Sequence, residues 1–201
     1  MAQARTSKEN HMSSLILHPT ETVYGLGCDA RDAQTLERIF ALKGREANKS
    51  VGLIAADLEM VERTVVLASA AREIAKKYWP GALAIIAQVR TEAGLAPQAV
   101  AADGTVAIRV SDSQIARDLA SRMGAPLVST SANRAGQPAC SSVQALREQL
   151  GEADFATIDE VIDVGQLPPR LPSTIVRVAE DGGITVVRQG SVAITEEHTT
   201  V

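Results

Sequence analysis

The 201-residue chain reads as one α/β domain built on a mixed sheet. Three observations predict this. Apolar runs of strand length alternate with stretches whose apolar residues recur at helical spacing, which is the pattern of strands and helices taken in turn. The last third becomes strand-rich and closes on two short apolar runs around Gly182-Gly183, which adds antiparallel pairing. The composition, 45% hydrophobic and 22% charged, suits a globular chain with a sizeable core.

Each element follows from local signals. LILH (15–18) predicts a strand that stops at Pro19, which has no N–H for a ladder. PTETVYGLG (19–27) reads as a loop carrying Gly25 and Gly27. Asp32 is expected to cap a helix over 32–44, with Leu36, Ile39 and Phe40 on one face and Gly44 at its end. REANKS is a polar connection, and VGLIA (51–55) is a buried strand. Asp57 caps a helix through Leu58 and Val61, and a further helix over 69–79 ends at Pro80-Gly81. Residues 82–89 and 105–110 are strands on either side of a loop-like stretch, 91–104. Asp112 is expected to cap a helix over 112–124, closed by Gly124. A strand at 126–130, a Ser-capped helix at 141–151, short apolar segments near 155–158 and 161–164, and the two closing strands complete the order. Residues 1–12 are expected to be a loose polar leader, 13–192 the domain and 193–201 a tail.

Composition narrows the function classes. A net charge of −4 argues against coating nucleic acid by bulk charge, and 2% aromatic residues leave little for a base-stacking platform. No apolar run is long enough to cross a bilayer, and MAQARTSKENHMSS lacks the apolar region of a secretory signal, so the cytosol is the expected location. Cys28 and Cys140 have no metal-ligand spacing and are expected to be small buried or half-buried thiols. His11 and His198 fall in the expected tails, leaving His18 in the body. A Ser-His-Asp hydrolase or a His-rich metal centre has little to work with, and no metal is expected on protein side chains.

Five polar features remain. Lys43, Arg45 and Lys49 follow a helix C-terminus, where they either compensate the dipole in a solvated turn or clamp an anion. Arg109 sits inside TVAIRV, with Val106, Ile108 and Val110 on the opposite face and Ala107 beside it, at a solvated edge or a cleft floor. PLVSTSAN (126–133) opens a strand into small hydroxyls and an amide, either a turn or a ligand wall at a strand end, with Ser129, Ser131 and Asn133 on one side if extended. LPSTIV (171–176) and VVRQG (186–190) add Ser173 and Arg188. Cations and hydroxyls without a strong general base suit electrostatic stabilisation of a polyanion better than hydrolysis. The P-loop and GxGxxG patterns are absent.

In order, PTETVYGLGCDA, LKGR with a following Lys, YWPGALAII, VAIRV, PLVSTSAN with G-x-P, LPSTIV and VVRQG resemble the YrdC family from about residue 15 to 192. The resemblance implies a twisted mixed parallel/antiparallel sheet with helices and a deep, positively lined central cavity. It implies synthesis of L-threonylcarbamoyladenylate and pyrophosphate from L-threonine, bicarbonate or carbon dioxide, and ATP with Mg2+. Other proteins would then transfer the threonylcarbamoyl group to adenosine 37 of tRNAs.

By the same resemblance, Lys43 and Arg45 match a KxR pair expected to hold the triphosphate and act in catalysis. Ser131 and Asn133 match SxN, and with Arg188 are expected on ATP, while Thr20, Arg109, Ser129 and Ser173 are expected on L-threonine. Three features depart from the family. Only a polar leader precedes the PTET strand. His18 replaces an aromatic or apolar residue and is expected to be half-exposed and neutral, with a place beside the pocket as the alternative. Ser50 and Gly52 stand where Pro and a larger apolar residue are usual, which is expected to loosen the following strand. Two alternatives keep the fold: a double-stranded RNA or tRNA binding module, and a carbamoyltransferase domain handling carbamoyladenylate.

Overall fold

The structure, a computed structural model, describes residues 14–44 and 51–194. The expected leader and all but two residues of the expected tail lie outside the described residues, as do Arg45, Lys49 and Ser50. The elements are β1 (Ile16–Pro19), β2 (Tyr24–Asp29), α1 (Ala33–Lys43), β3 (Gly52–Ala55), α2 (Leu58–Thr64), β4 (Val65–Val66), α3 (Ser69–Tyr78) and β5 (Leu83–Val89). They continue as β6 (Thr105–Val110), α4 (Gln114–Met123), β7 (Leu127–Ser131), α5 (Val143–Leu150), α6 (Glu152–Phe155), β8 (Glu160–Val161), β9 (Thr174–Val178) and β10 (Ile184–Arg188).

Among the described residues the strands form one sheet in the order β10-β9-β5-β6-β3-β7-β2-β1-β8, with β4 paired to β5. Pairs β3–β6, β5–β9 and β1–β8 are parallel, and β1–β2, β2–β7, β3–β7, β5–β6 and β9–β10 are antiparallel. The expected mixed α/β sheet is therefore observed. Central strands bury both faces and so read as unbroken apolar runs, as in Leu83–Ile85. No helix among the described residues is long and apolar enough to cross a membrane.

The helix ends follow their capping chemistry. The side chains of Asp32 and Asp57 accept from the backbone N–H groups of Thr35 and Met60, at 3.0 and 2.7 Å. Gly44 and Gly124 close α1 and α4 with φ of 61° and 63°, a left-handed conformation that costs glycine little. The cap of α4 is Ser113 rather than Asp112: its hydroxyl accepts from Ala116 N, and it also donates to Pro19 O at 3.1 Å. Position along the chain allowed either residue, and the contact with β1 selects the serine.

Three other expectations change. The stretch read as a loop, PTETVYGLG, is strand β2 from Tyr24 onward, with every residue to Asp29 buried. Glycine is ordinarily a strand breaker, but here it makes room. A Cβ on Gly27 would stand 2.4 Å from Val128 O, so β2 and β7 approach only because that position has no side chain. Gly52 does not leave its strand loose, because it pairs with Ala107 on one side and Ser129 on the other. His18 is fully buried, not half-exposed. Cys28 and Cys140 are both buried free thiols, as composition suggested.

Candidate active site

A cavity of about 570 Å3 opens over the middle of the sheet. Its floor follows from register. Ala107 on β6 pairs with Gly52 on β3, and Gly52 pairs with Ser129 on β7. These cross-strand neighbours carry almost no side chain, so the row leaves space above the sheet where larger residues would fill it. Ala84 and Gly25 extend the same floor. Alternation places Arg109 on the face of Ala107, while Val106, Ile108 and Val110 point into the core on the other side.

Arg109 is 8% exposed and lines the cavity. Its Nη1 donates to Glu21 Oε1, and Ser111 Oγ donates to Glu21 Oε2. Burial pulls the Arg109 guanidinium below its ordinary value, and the neighbouring Glu21 carboxylate pushes back up. Arg188 also lines the cavity, with Nε and Nη2 donating to Ser173 O at 3.1 and 2.8 Å. Burial depresses it, and the like charge of Arg109 adds to the depression. Arg170 is a further cation on the lining, in the 163–172 segment. Tyr24 pins that segment: its hydroxyl accepts from Val164 N and donates to Gly165 O, both at 2.9 Å.

The opposite wall is the hydroxyl strip. Ser131 Oγ donates to Asn133 Oδ1 at 2.7 Å, and Asn133 Nδ2 donates to Gln137 O at 2.6 Å. Lys43, 3% exposed, lies behind the strip. Its Nζ donates to the carbonyl of Ser131, to Asn133 O at 3.0 Å and to Asn133 Oδ1 at 2.8 Å. It is not among the residues that face the open cavity. The strip is thus both of the things its sequence allowed: a self-satisfied turn and a cavity wall. Thr20 is similar, since it lines the cavity while its hydroxyl donates to Val23 O at 2.6 Å and accepts from Thr22 N and Val23 N.

Of the residues named from sequence, Thr20, Arg109, Ser129, Ser131, Asn133, Ser173 and Arg188 come together on one cavity, with Lys43 against its wall and Arg45 outside the described residues. Glu21 and Arg170 were missed. Glu21 adjoins Thr20 in the PTET stretch, but only the fold brings it to Arg109, 88 positions away. The nearest signal was a charge beside an apolar strand in need of a counter-ion. Among the described residues no carboxylate lines the cavity, and no group of His, Cys, Asp or Glu could hold a metal ion. The lining is built for an anion bearing several hydrogen-bonding groups.

Comparison with known proteins agrees with this architecture. The chain is 35% identical over 163 residues to a threonylcarbamoyl-AMP synthase of Idiomarina loihiensis, covering 79% of this chain and 86% of that one. It is 32% identical over 181 residues to the synthase of Bacillus subtilis, covering 86% of this chain but 51% of the relative. The crystal structure of P. abyssi Sua5 complexed with L-threonine superposes with a TM-score of 0.79 at 27% identity, over 93% of this chain and 56% of that one. The chain therefore spans about half the length of two of these relatives. A sequence model of the Sua5_yciO_yrdC family, described as telomere recombination, matches residues 11–190, and the chain belongs to that family.

Proposed function

We propose that the chain is an L-threonylcarbamoyladenylate synthase. The observation that carries this reading is one cavity with guanidinium groups on one side, small hydroxyls on the other and, among the described residues, no carboxylate on its lining. The amine of threonine and bicarbonate give a carbamate and water. A carbamate oxygen then attacks the α-phosphorus of ATP, the P–O bond to the β-phosphate breaks, and pyrophosphate leaves. Both partners in the second step are anions, so the protein's main task is to hold like charges together and in line.

Arg109 receives the threonine carboxylate, with Thr20, Ser129 and Ser173 around the rest of the amino acid. Glu21 and Ser111 fix the guanidinium so that it need not reorganise when the ligand arrives. Ser131, Asn133 and Arg188 meet the nucleotide, and Arg45 matches the remaining triphosphate position. Lys43 holds the SxN turn through its carbonyls and adds positive charge behind it. An incoming anion would relieve the mutual repulsion of Arg188 and Arg109. Mg2+ would neutralise the leaving pyrophosphate. With no carboxylate on the lining among the described residues, it would be carried in by the triphosphate. The product would pass to proteins that modify tRNA, in the cytoplasm.

The test is pyrophosphate release from ATP, with mass spectrometry of the product. Release that requires both L-threonine and bicarbonate, with a threonylcarbamoyl-AMP mass, is expected. Release indifferent to threonine overturns the reading. Activity with carbamoyl phosphate in place of threonine and bicarbonate points to carbamoyladenylate chemistry. Tight tRNA binding at physiological salt with no ATP chemistry points to a binding module.

A further inference from the structure

His18 is a buried titratable group that the proposed chemistry leaves unused. It stands on β1 opposite Gly25 of β2, and Gly27 of β2 stands opposite Ser129 of β7. The imidazole lies across β2 on the face where these glycines carry no side chain. A Cβ on Gly25 would stand 3.0 Å from His18 Nε2 and 2.8 Å from Ser129 Oγ, and one on Gly27 would stand 3.1 Å from the same nitrogen. The ring thus lies over Gly25 and Gly27 on the cavity face of the sheet, fully buried and beside the cavity, while Gly25 and Ser129 line it.

Its hydrogen bonds fix its tautomer. Nδ1 lies 3.3 Å from Pro19 O, which can only accept, so Nδ1 carries the proton. Full burial opposes a second proton and pulls the imidazole down to about 4, so the ring is neutral at ordinary pH. Nε2 is then a bare acceptor, 3.4 Å from Ser129 Oγ. With Nε2 as acceptor, the Ser129 hydroxyl is the donor of that contact.

We propose that His18 is a positioning residue that turns the Ser129 hydroxyl proton sideways towards β1, so that Ser129 meets its ligand as an acceptor and selects an N–H or O–H donor there. This rests on the reading of the cavity as a threonine site, where the donor is the amine or the hydroxyl of the amino acid. Without His18 the serine hydroxyl rotates freely and accepts or donates without preference.

A double-mutant cycle on the full chain tests the coupling. His18→Phe keeps a ring and removes the acceptor nitrogen. It is expected to raise the KM for L-threonine by about three- to tenfold, the range of one net hydrogen bond, with kcat and the KM for ATP little changed. In a Ser129→Ala background the same substitution is expected to change nothing further. His18→Gln, which restores an acceptor near the Nε2 position, is expected to recover the threonine KM. Equal effects of His18→Phe with and without Ser129 overturn the proposal. With L-2-aminobutyrate in place of threonine, coupling that persists assigns the donor to the amine, and coupling that disappears assigns it to the hydroxyl.

Nitrogen NMR of the wild-type imidazole provides a readout independent of activity and of variant folding. A proton on Nδ1 and a bare Nε2 at neutral pH are expected, and a proton on Nε2 overturns the proposal. If the wild-type chain shows no threonine-dependent chemistry, the functional reading fails while the tautomer result still decides the His18–Ser129 link.

Discussion

The two walls of the cavity solve the problem of buried polarity differently. On the hydroxyl wall, Ser131, Asn133, Lys43 and His18 hydrogen-bond to one another or to nearby backbone, so that wall is closed before any ligand arrives. On the cationic wall, Arg109 is matched by Glu21, whereas Arg188 rests on the carbonyl of Ser173 and has no carboxylate partner among the described residues. The first wall is set by internal geometry and presents lone pairs. The second stores unfavourable charge that an anion relieves. One wall supplies shape, and the other supplies the force that draws an anion in.

Breaking the cationic wall is expected to have the largest effect. Arg109→Ala removes the proposed carboxylate anchor and leaves Glu21 buried without its counter-charge. Its kcat/KM for threonine in the pyrophosphate assay is expected to fall by about 10²–10³. Calorimetry or denaturant unfolding is expected to show a loss of about 3–5 kcal/mol, as when one member of a buried ion pair is removed. The double variant Arg109→Leu with Glu21→Leu is expected to regain most of that stability but none of the activity. Recovery of both would show that Arg109 acts only as structure.

Lys43→Met strikes the hydroxyl wall from behind, leaving the carbonyls of Ser131 and Asn133 without their charged donor. Pyrophosphate release is expected to fall by about 10²-fold, and near-normal release would remove Lys43 from the site. Such an outcome would also weaken the contrast between the walls, since cationic charge would then matter only at the arginines.

A third prediction concerns the closed wall's dependence on pH. The imidazole of His18 is pulled from 6.5 down to about 4 by burial, with Arg109 also lowering it and Pro19 O and Glu21 opposing. The unfolded chain therefore binds more protons than the folded one between these values, and stability falls as pH drops from 6.5 towards 4. The stability attributable to keeping this group neutral is about 3 kcal/mol, present in full above 6.5 and gone below 4. Denaturant unfolding across that range is expected to be flatter for His18→Phe. An unchanged slope would mean that the ring protonates in place.

The smallest effect is expected at Ser111→Ala, which removes one of the donors to Glu21. A twofold to tenfold rise in the KM for threonine, with kcat nearly unchanged, is the expected order for one hydrogen bond. It would sharpen the comparison by showing that the arginine wall is also positioned, though from behind.

Much of this was legible in the residues. Strand and helix periods, the Asp32 and Asp57 caps and the Gly44 and Gly124 stops are local, so the chain itself declares them. The resemblance to a family added which polar residues to watch. Seven of the nine residues named line one cavity, with Lys43 against its wall and Arg45 outside the described residues. The misreadings have one physical origin. Gly25 and Gly27 looked like loop formers because a glycine's local preference is weak, and their use as gaps beneath a crossing imidazole depends on strands far away in sequence. His18 looked half-exposed because nothing nearby in the chain shows what covers it.

What the sequence by itself determined is therefore local: the alternation that puts Arg109 and Ala107 on one face, the helix ends, and the small residues whose lack of bulk leaves a cavity. Tertiary structure decided the partnerships. It set Glu21 on Arg109, the Lys43 ammonium on the Ser131–Asn133 turn 88 and 90 positions away, and His18 beside Ser129. A period of two tells each strand residue which face it takes but not which strand lies beside it, and in this sheet the neighbours come from distant parts of the chain.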